Sequence, residues 1–225
     1  MSEPTQTPMV KPYFEVKRQY PDCLLFYRMG DFYELFYEDA KTASRVLDIV
    51  LTDKNRNKPG DPLPMCGVPF HAYESYLVKL VKAGYKVAIC EQLEDPEEAK
   101  KRGAGSVVKR DVIRVVTAGT LTEDALLSAN EHNYLASLVM TGPRVAMAWA
   151  DMSTGDFCVQ SMDKALFFST WARLEPSEVL VASGAREACP DLFYHITGIT
   201  ELEDNLFLYE AQKERMAAFL QEHQE

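Results

Sequence analysis

The first residues able to do chemistry together lie two apart. In Arg28-Met29-Gly30-Asp31-Phe32-Tyr33-Glu34-Leu35-Phe36, an aromatic ring and a carboxylate follow directly on a Gly-Asp break. In an extended strand side chains alternate, so Phe32, Glu34 and Phe36 share one face and Tyr33, Leu35 and Tyr37 the other. A ring can slip between stacked bases, and a carboxylate can exchange hydrogen bonds with a base edge. A plainer reading competes: Phe32 as core, and Glu34 as an edge charge that discourages aggregation. Phe36-Tyr37-Glu38 repeats the same letters, so Phe-x-Glu alone says little. Position separates the two. Phe32 abuts the break, whereas Phe36 lies deeper and reads as core.

Other chemistry finds less support. The histidines (His71, His132, His195, His223) are dispersed and lack metal-ligand spacing. Gly103-Ala104-Gly105-Ser106 lacks the Gly-x-x-x-x-Gly-Lys-Ser/Thr spacing of a phosphate loop. Asp151 and Asp156 flank a hairpin loop, but a two-metal nuclease needs more carboxylates converging on its ions, so turn capping explains them better. Lys100-Lys101-Arg102 and Lys109-Arg110, with Arg114, form the densest basic region. A solvated face and phosphate contacts both remain open for it. Lys109 and Arg110 fall on a predicted strand rather than a loose tail, which favours them as contacts.

The elements that must position these residues follow from pattern. Cys23-Leu24-Leu25-Phe26-Tyr27 runs into Gly30-Asp31 and aromatic residues resume, so a tight hairpin is predicted from Cys23 to about Tyr37. Thr7-Pro8 marks a helix start, with the regular helix running from near Pro12 to about Tyr20. Glu38 to Leu47 reads as a helix, 48–52 as a short strand and 53–64 as loop. An amphipathic helix over 71–84, a buried strand over 85–90, a polar mobile stretch over 94–106 and a basic strand over 107–116 complete a mixed α/β domain. Residues 117–131 read as a linker. From Tyr134 a second pattern begins. Strands over 145–151 and 156–162 precede a helix over 164–174, a strand over 178–182, a weak helix, a further strand and a charged helix over 208–224.

Length and charge support two modules. The chain has 225 residues, 47% of them hydrophobic, and a net charge of −10. Residues 1–116 hold 18 Lys and Arg against 17 Asp and Glu, a balance of +1, whereas the remainder holds 6 against 17, or −11. Only the first half suits a polyanion; the second would be repelled by one. Five cysteines without a Cys-x-x-Cys pair read as buried thiols of a reducing, cytoplasmic compartment. The polar N-terminus lacks signal-peptide character, and no apolar run spans a bilayer.

Four stretches carry a resemblance. They are Leu25-Phe26-Tyr27-Arg28-Met29-Gly30-Asp31-Phe32-Tyr33-Glu34-Leu35-Phe36, Pro64-Met65-Cys66-Gly67-Val68-Pro69-Phe70-His71-Ala72, Val87-Ala88-Ile89-Cys90-Glu91-Gln92 and Arg114-Val115-Val116-Thr117-Ala118-Gly119-Thr120. In this order they resemble the N-terminal part of the MutS family of DNA mismatch-repair proteins. Asp151-Met152-Ser153-Thr154-Gly155-Asp156-Phe157 is similar to the start of that family's connector domain. Departures are mild: Ala118 stands where proline is usual, Cys66 where alanine is common, and Pro12 interrupts the first helix.

The resemblance implies an α/β chain: a mixed-sheet mismatch-recognition domain over 1–116, a linker over 117–131 and an RNase H-like connector domain over 132–225. It implies that Phe32 wedges into the stack from the minor groove and that Glu34 bonds the displaced base. Arg28, Met29, Lys109 and Arg110 would be contacts to the DNA backbone. It further implies no active site or cofactor in this chain. ATP and Mg²⁺ would bind an ATPase domain of the parent protein, which would be a homodimer. A downstream repair factor would dock on the connector, and no membrane is involved. The rival readings are a protein-interaction module, suggested by the acidic second half, and a nuclease of RNase H-like fold.

Overall fold

The computed structural model describes residues 10–55, 62–103, 108–122 and 132–222. The chain divides into two compact units, Met1–Thr117 and Ala118–Glu225.

In the first unit, α1 (Lys11–Lys17) carries Pro12 in its opening turn, where a missing N–H leaves no helical bond unmade. The helix stops short of Tyr20, because the N–H groups of Gln19 and Tyr20 turn back to the carbonyls of Val16 and Lys17. The expected start at Thr7-Pro8 lies outside the described residues. Strands β1 (Cys23–Met29) and β2 (Phe32–Phe36) form the predicted antiparallel hairpin, with Met29 opposite Phe32 and Tyr27 opposite Glu34. Gly30 opens the two-residue turn at φ 61, a conformation that an L side chain resists. Helix α2 (Tyr37–Leu47) buries Ala40, Ala43 and Leu47. Its Asp39, 7% exposed, accepts bonds from the Tyr13 hydroxyl at 2.9 Å and the Leu25 N–H at 3.0 Å, tying α1 and β1 to α2.

Three expectations change here. Residues 48–52 do not form a strand, because Asp48 at φ 54 ends α2 and the Ile49 N–H bonds back to the Ser44 carbonyl at 3.1 Å. Only β3 (Thr52–Asp53) remains of it. An unforeseen strand, β4 (Pro64–Pro69), lies between β3 and β2; a proline at each end and a glycine within disguise it as loop. Helix α3 (Tyr73–Lys82), preceded by a 3-10 turn over Phe70–Ala72, buries Leu77, Val78, Leu80 and Val81, and β5 (Lys86–Gln92) runs parallel to β1. The polar stretch that follows contains a helix, α4 (Pro96–Lys101), because Asp95 Oδ1 accepts the Glu97 N–H at 2.7 Å and Pro96 takes the first helical position. Strand β6 (Arg110–Val116) closes the order β3-β4-β2-β1-β5-β6.

The second unit begins inside the stretch read as linker. A 3-10 turn over Ala118–Thr120 is held by the Gly119 N–H on Glu178 Oε2 at 3.1 Å, and Asn133 Nδ2 bonds the carbonyls of Ala118 and Leu121. Strands β7 (Tyr134–Thr141), β8 (Arg144–Asp151) and β9 (Phe157–Asp163) form an antiparallel meander, and α5 (Lys164–Leu174) crosses back over it. Strand β10 (Glu178–Ala182) then lies parallel beside β7. Short helices α6 (Ala185–Ala188) and α7 (Pro190–Phe193) lead to β11 (Ile199–Leu202), parallel to β10, and α8 (Tyr209–Glu222) follows. The order β11-β10-β7-β8-β9, three antiparallel strands and then two parallel ones, is the RNase H-like arrangement. Phe167, Leu174, Leu192, Phe193 and Ile196 cover one face, on Met147, Met162, Val179 and Val181.

Cys23, Cys66 and Cys90 are buried as expected, and burial pushes the Cys66 and Cys90 thiols up to about 12. Cys158 is exposed, against expectation, because β9 is an edge strand. Among the described residues no helix is long and apolar enough to cross a membrane.

Candidate nucleic-acid interface

The hairpin turn sits at the end of the two central strands of the first sheet. Alternation along β2 sends Tyr33 and Leu35 into the core, 1% and 0% exposed, and leaves Phe32 47% exposed beside the turn. Phe36, on the same side as Phe32, is 2% exposed and packs edge-on against Tyr13 at 4.9 Å between ring centroids. The two Phe-x-Glu triads therefore differ in burial at their aromatic member.

Glu34 stands between them, half-buried and ion-paired with Lys54. The Lys54 ammonium also lies 3.8 Å from Met29 Sδ and 5.1 Å from the centroid of the Phe36 ring. Nothing in the sequence pointed to Lys54, which comes from the turn after β3 and reaches Glu34 because β4 pairs with both β3 and β2.

The other face of the turn is aromatic and cationic. Arg28, directly opposite Tyr33, places its guanidinium carbon 3.2 Å from the centroid of the Phe70 ring and 5.7 Å from that of Tyr33. Its Nη1 is 3.8 Å from Glu91 Oε1, and its Nε donates to the Gly30 carbonyl. The Tyr33 hydroxyl donates to Glu91; burial and that carboxylate together push the phenol above its ordinary range. Arg110 donates from Nε to the Arg28 carbonyl at 2.8 Å and from Nη1 to the Val108 carbonyl at 3.0 Å, and it lies over the Tyr27 ring. The Lys109 side chain is exposed, while its main chain bonds Glu94 and Leu93. The structure thus gathers Arg28, Met29, Phe32, Glu34 and Arg110 around one turn, with Lys109 beside Arg110. Sequence reasoning missed Lys54, Phe70, Glu91 and Gln92, whose Oε1 accepts the Gly30 N–H at 3.3 Å; the last three lie in the quoted family stretches but carried no role there.

The second-unit aspartates are occupied as turn acceptors. Asp151 Oδ1 accepts the Ser153 N–H at 2.9 Å and its hydroxyl at 2.6 Å, Oδ2 lies 3.1 Å from His132 Nδ1, and Asp156 accepts from Thr154. Burial works to raise the Asp151 pKa, but the Ser153 hydroxyl and N–H, His132 and the Asn133 N–H outweigh it and hold it at about 2. Among the described residues no three His, Cys, Asp or Glu side chains are grouped to hold a metal ion.

The family description MutS domain I matches residues 7–125, and MutS domain II matches residues 133–225. The DNA mismatch repair protein MutS of Ruegeria sp. (strain TM1040) is 56% identical over 178 residues, covering 79% of this chain and 20% of that protein. That of Dinoroseobacter shibae is 53% identical over 184 residues, 82% of this chain and 21% of its own. That of Rhizobium meliloti is 50% identical over 198 residues, 86% of this chain and 21% of its own. The chain spans about a fifth of the length of these relatives. Two successive domain matches, laid over a mixed sheet with the β1–β2 hairpin at its centre and an RNase H-like sheet after it, establish that this chain belongs to the MutS family.

Proposed function

We propose that the chain is the mismatch-reading and connector portion of a DNA mismatch-repair protein, with residues 1–116 meeting mismatched or unpaired bases in duplex DNA. Phe32 enters the stack from the minor groove, and Glu34 hydrogen-bonds the base that the ring displaces. Unstacking costs a few kcal/mol per step and less where pairing is already defective, so the site reads deformability more than base identity. Met29, Lys109 and Arg110 flank the turn as backbone-facing residues. ATP hydrolysis, with its Mg²⁺, homodimer formation and the clamp around DNA belong to parts of a longer cytoplasmic protein. The acidic connector, 132–225, offers a surface to a downstream repair factor. The rival nuclease reading is disfavoured by Asp151 and Asp156, whose oxygens are taken by turn donors.

The observation that carries this reading is Phe32, a large ring left 47% exposed at a turn whose neighbours on both strands are buried or paired. A base stacked on an aromatic ring is worth about 1–3 kcal/mol, so Phe32→Ala in the full-length protein should weaken binding to a mismatched duplex by about 5- to 150-fold. Affinity for the paired duplex should hardly change. Equal discrimination by wild type and variant in a binding titration would refute the wedge.

A further inference from the structure

We infer that Arg28 is a positioning residue that aims Phe32, acting through a stack on Phe70, in place of the phosphate contact its charge first suggests. The inference rests on the mismatch-reading proposal above.

The need for such a device follows from the strand register. Pairing between β1 and β5 ends at Tyr27 opposite Cys90, yet β1 runs on to Met29. On that side the tip carries no ladder, and β4 supports it only from the other side, as far as Pro69 opposite Phe32. Side chains replace the ladder. Arg110 takes the Arg28 carbonyl at 2.8 Å, and the Gly30 N–H donates to Gln92 Oε1 at 3.3 Å. These bonds hold the backbone in the plane of the sheet, but they do not resist rocking of the turn across it.

Arg28 and Phe70 supply that restraint. Arg28 Nε donates to the carbonyl of Gly30, the first turn residue. The Phe70 N–H donates to the carbonyl of Asp31, the second, at 2.8 Å. The two side chains lie on each other at 3.2 Å, so both turn carbonyls are bound to one stacked pair. Phe32 follows Asp31 immediately, so that peptide, together with its pairing to Met29 and Pro69, sets where the ring stands. The Arg28 side chain is 16% exposed, with one face on Phe70, Nε on Gly30 and Nη1 turned to Glu91. Its charge is spent inside the unit. A planar guanidinium does this and an ammonium cannot, since only the former stacks while donating from its edge.

The test compares Arg28→Lys, Arg28→Gln, Phe70→Leu, Phe70→Trp and the Arg28→Lys/Phe70→Leu pair in the full-length protein, with Phe32→Ala as reference. Each is titrated with paired and mismatched duplexes over a salt series. Arg28→Lys and Phe70→Leu should each lower the mismatch-to-paired affinity ratio about 5-fold or more, and the double variant should be no worse than either, because both break one stack. Phe70→Trp, which keeps a ring under the guanidinium, should retain the ratio. The salt slope on paired DNA should be the same for Arg28→Gln as for wild type. A slope shallower by about 0.9 in Arg28→Gln, with full discrimination in Arg28→Lys, would identify a phosphate contact and overturn the inference. Losses that multiply in the double variant would overturn it too. If Phe32→Ala loses discrimination and Arg28→Lys keeps it, only the brace fails; if Phe32→Ala also keeps it, the mismatch-reading proposal fails first.

Discussion

Replacing Glu34 by glutamine isolates its ion pair with Lys54. Glu34 and Lys54 are paired with side chains 17% and 22% exposed, so the carboxylate now cancels an ammonium one strand away from the exposed ring. Glu34→Gln removes one negative charge and leaves the amide able to bond a base edge. Lys54 stays in place, since Met29 Sδ and the Phe36 ring still flank it. A cation no longer neutralised by its partner adds about one phosphate neutralised, which steepens the slope of log K against log salt by about 0.9. Between 200 and 50 mM salt that corresponds to about 3.5-fold more gain in affinity than wild type shows. The fold should lose about 1 kcal/mol or less, because the pair is partly solvated. The assay is a titration of the full-length protein with paired and mismatched duplexes at four salt concentrations. Both should bind at least as tightly as to wild type, and the mismatch ratio should fall slightly as paired DNA gains. An unchanged salt slope together with weaker binding of both duplexes would refute the argument.

Two further outcomes test the packing. Phe36→Ala should destabilise the first unit by about 3–5 kcal/mol in urea unfolding, while Phe32→Ala should stay within about 0.5 kcal/mol, because only the former ring is buried. Asp151 is held at about 2 against an ordinary 3.8, so its stabilisation is complete above about pH 4 and is lost as pH falls toward 2, about 2 kcal/mol in all. Asp151→Asn should therefore flatten the acid limb of the second unit's stability curve, measured as urea midpoints from pH 5 to 2.5; limbs of equal slope would show that the carboxylate is not held by its donors.

What could be read ahead of the structure followed the periodic elements. The hairpin, α2, α3 and the alternation that buries Tyr33 and Leu35 all depend on local pattern, and each stands where the spacing put it. β4 was hidden because Pro64, Gly67 and Pro69 look like punctuation, yet prolines at strand ends leave the pairing between them intact. α4 was hidden because its charged residues show no apolar face, and only the Asp95-Pro96 cap betrays it. At the candidate site, the exposure of Phe32 was legible from the turn. The residues around it were not: Lys54, Phe70 and Glu91 reach the hairpin through β4 and β5, and strand pairing at that distance leaves no mark on spacing. The intramolecular partners of Arg28 and Arg110 were hidden for the same reason, since a sequence shows a charge but not the carbonyl beside it.

The clamps on the turn span long intervals of chain. Gly30 is bound by a residue 62 positions away and Arg28 by one 82 away. A hairpin of residues 23–36 transplanted into another scaffold would carry the ring and the carboxyl without these distant partners. The graft would have the contacts and lack the aim. Within the family, substitutions that blunt mismatch discrimination should therefore gather at the far ends of β5 and β6 as well as at the tip. The exposed ring belongs to the whole sheet, and a change that loosens the last strand is felt at the turn.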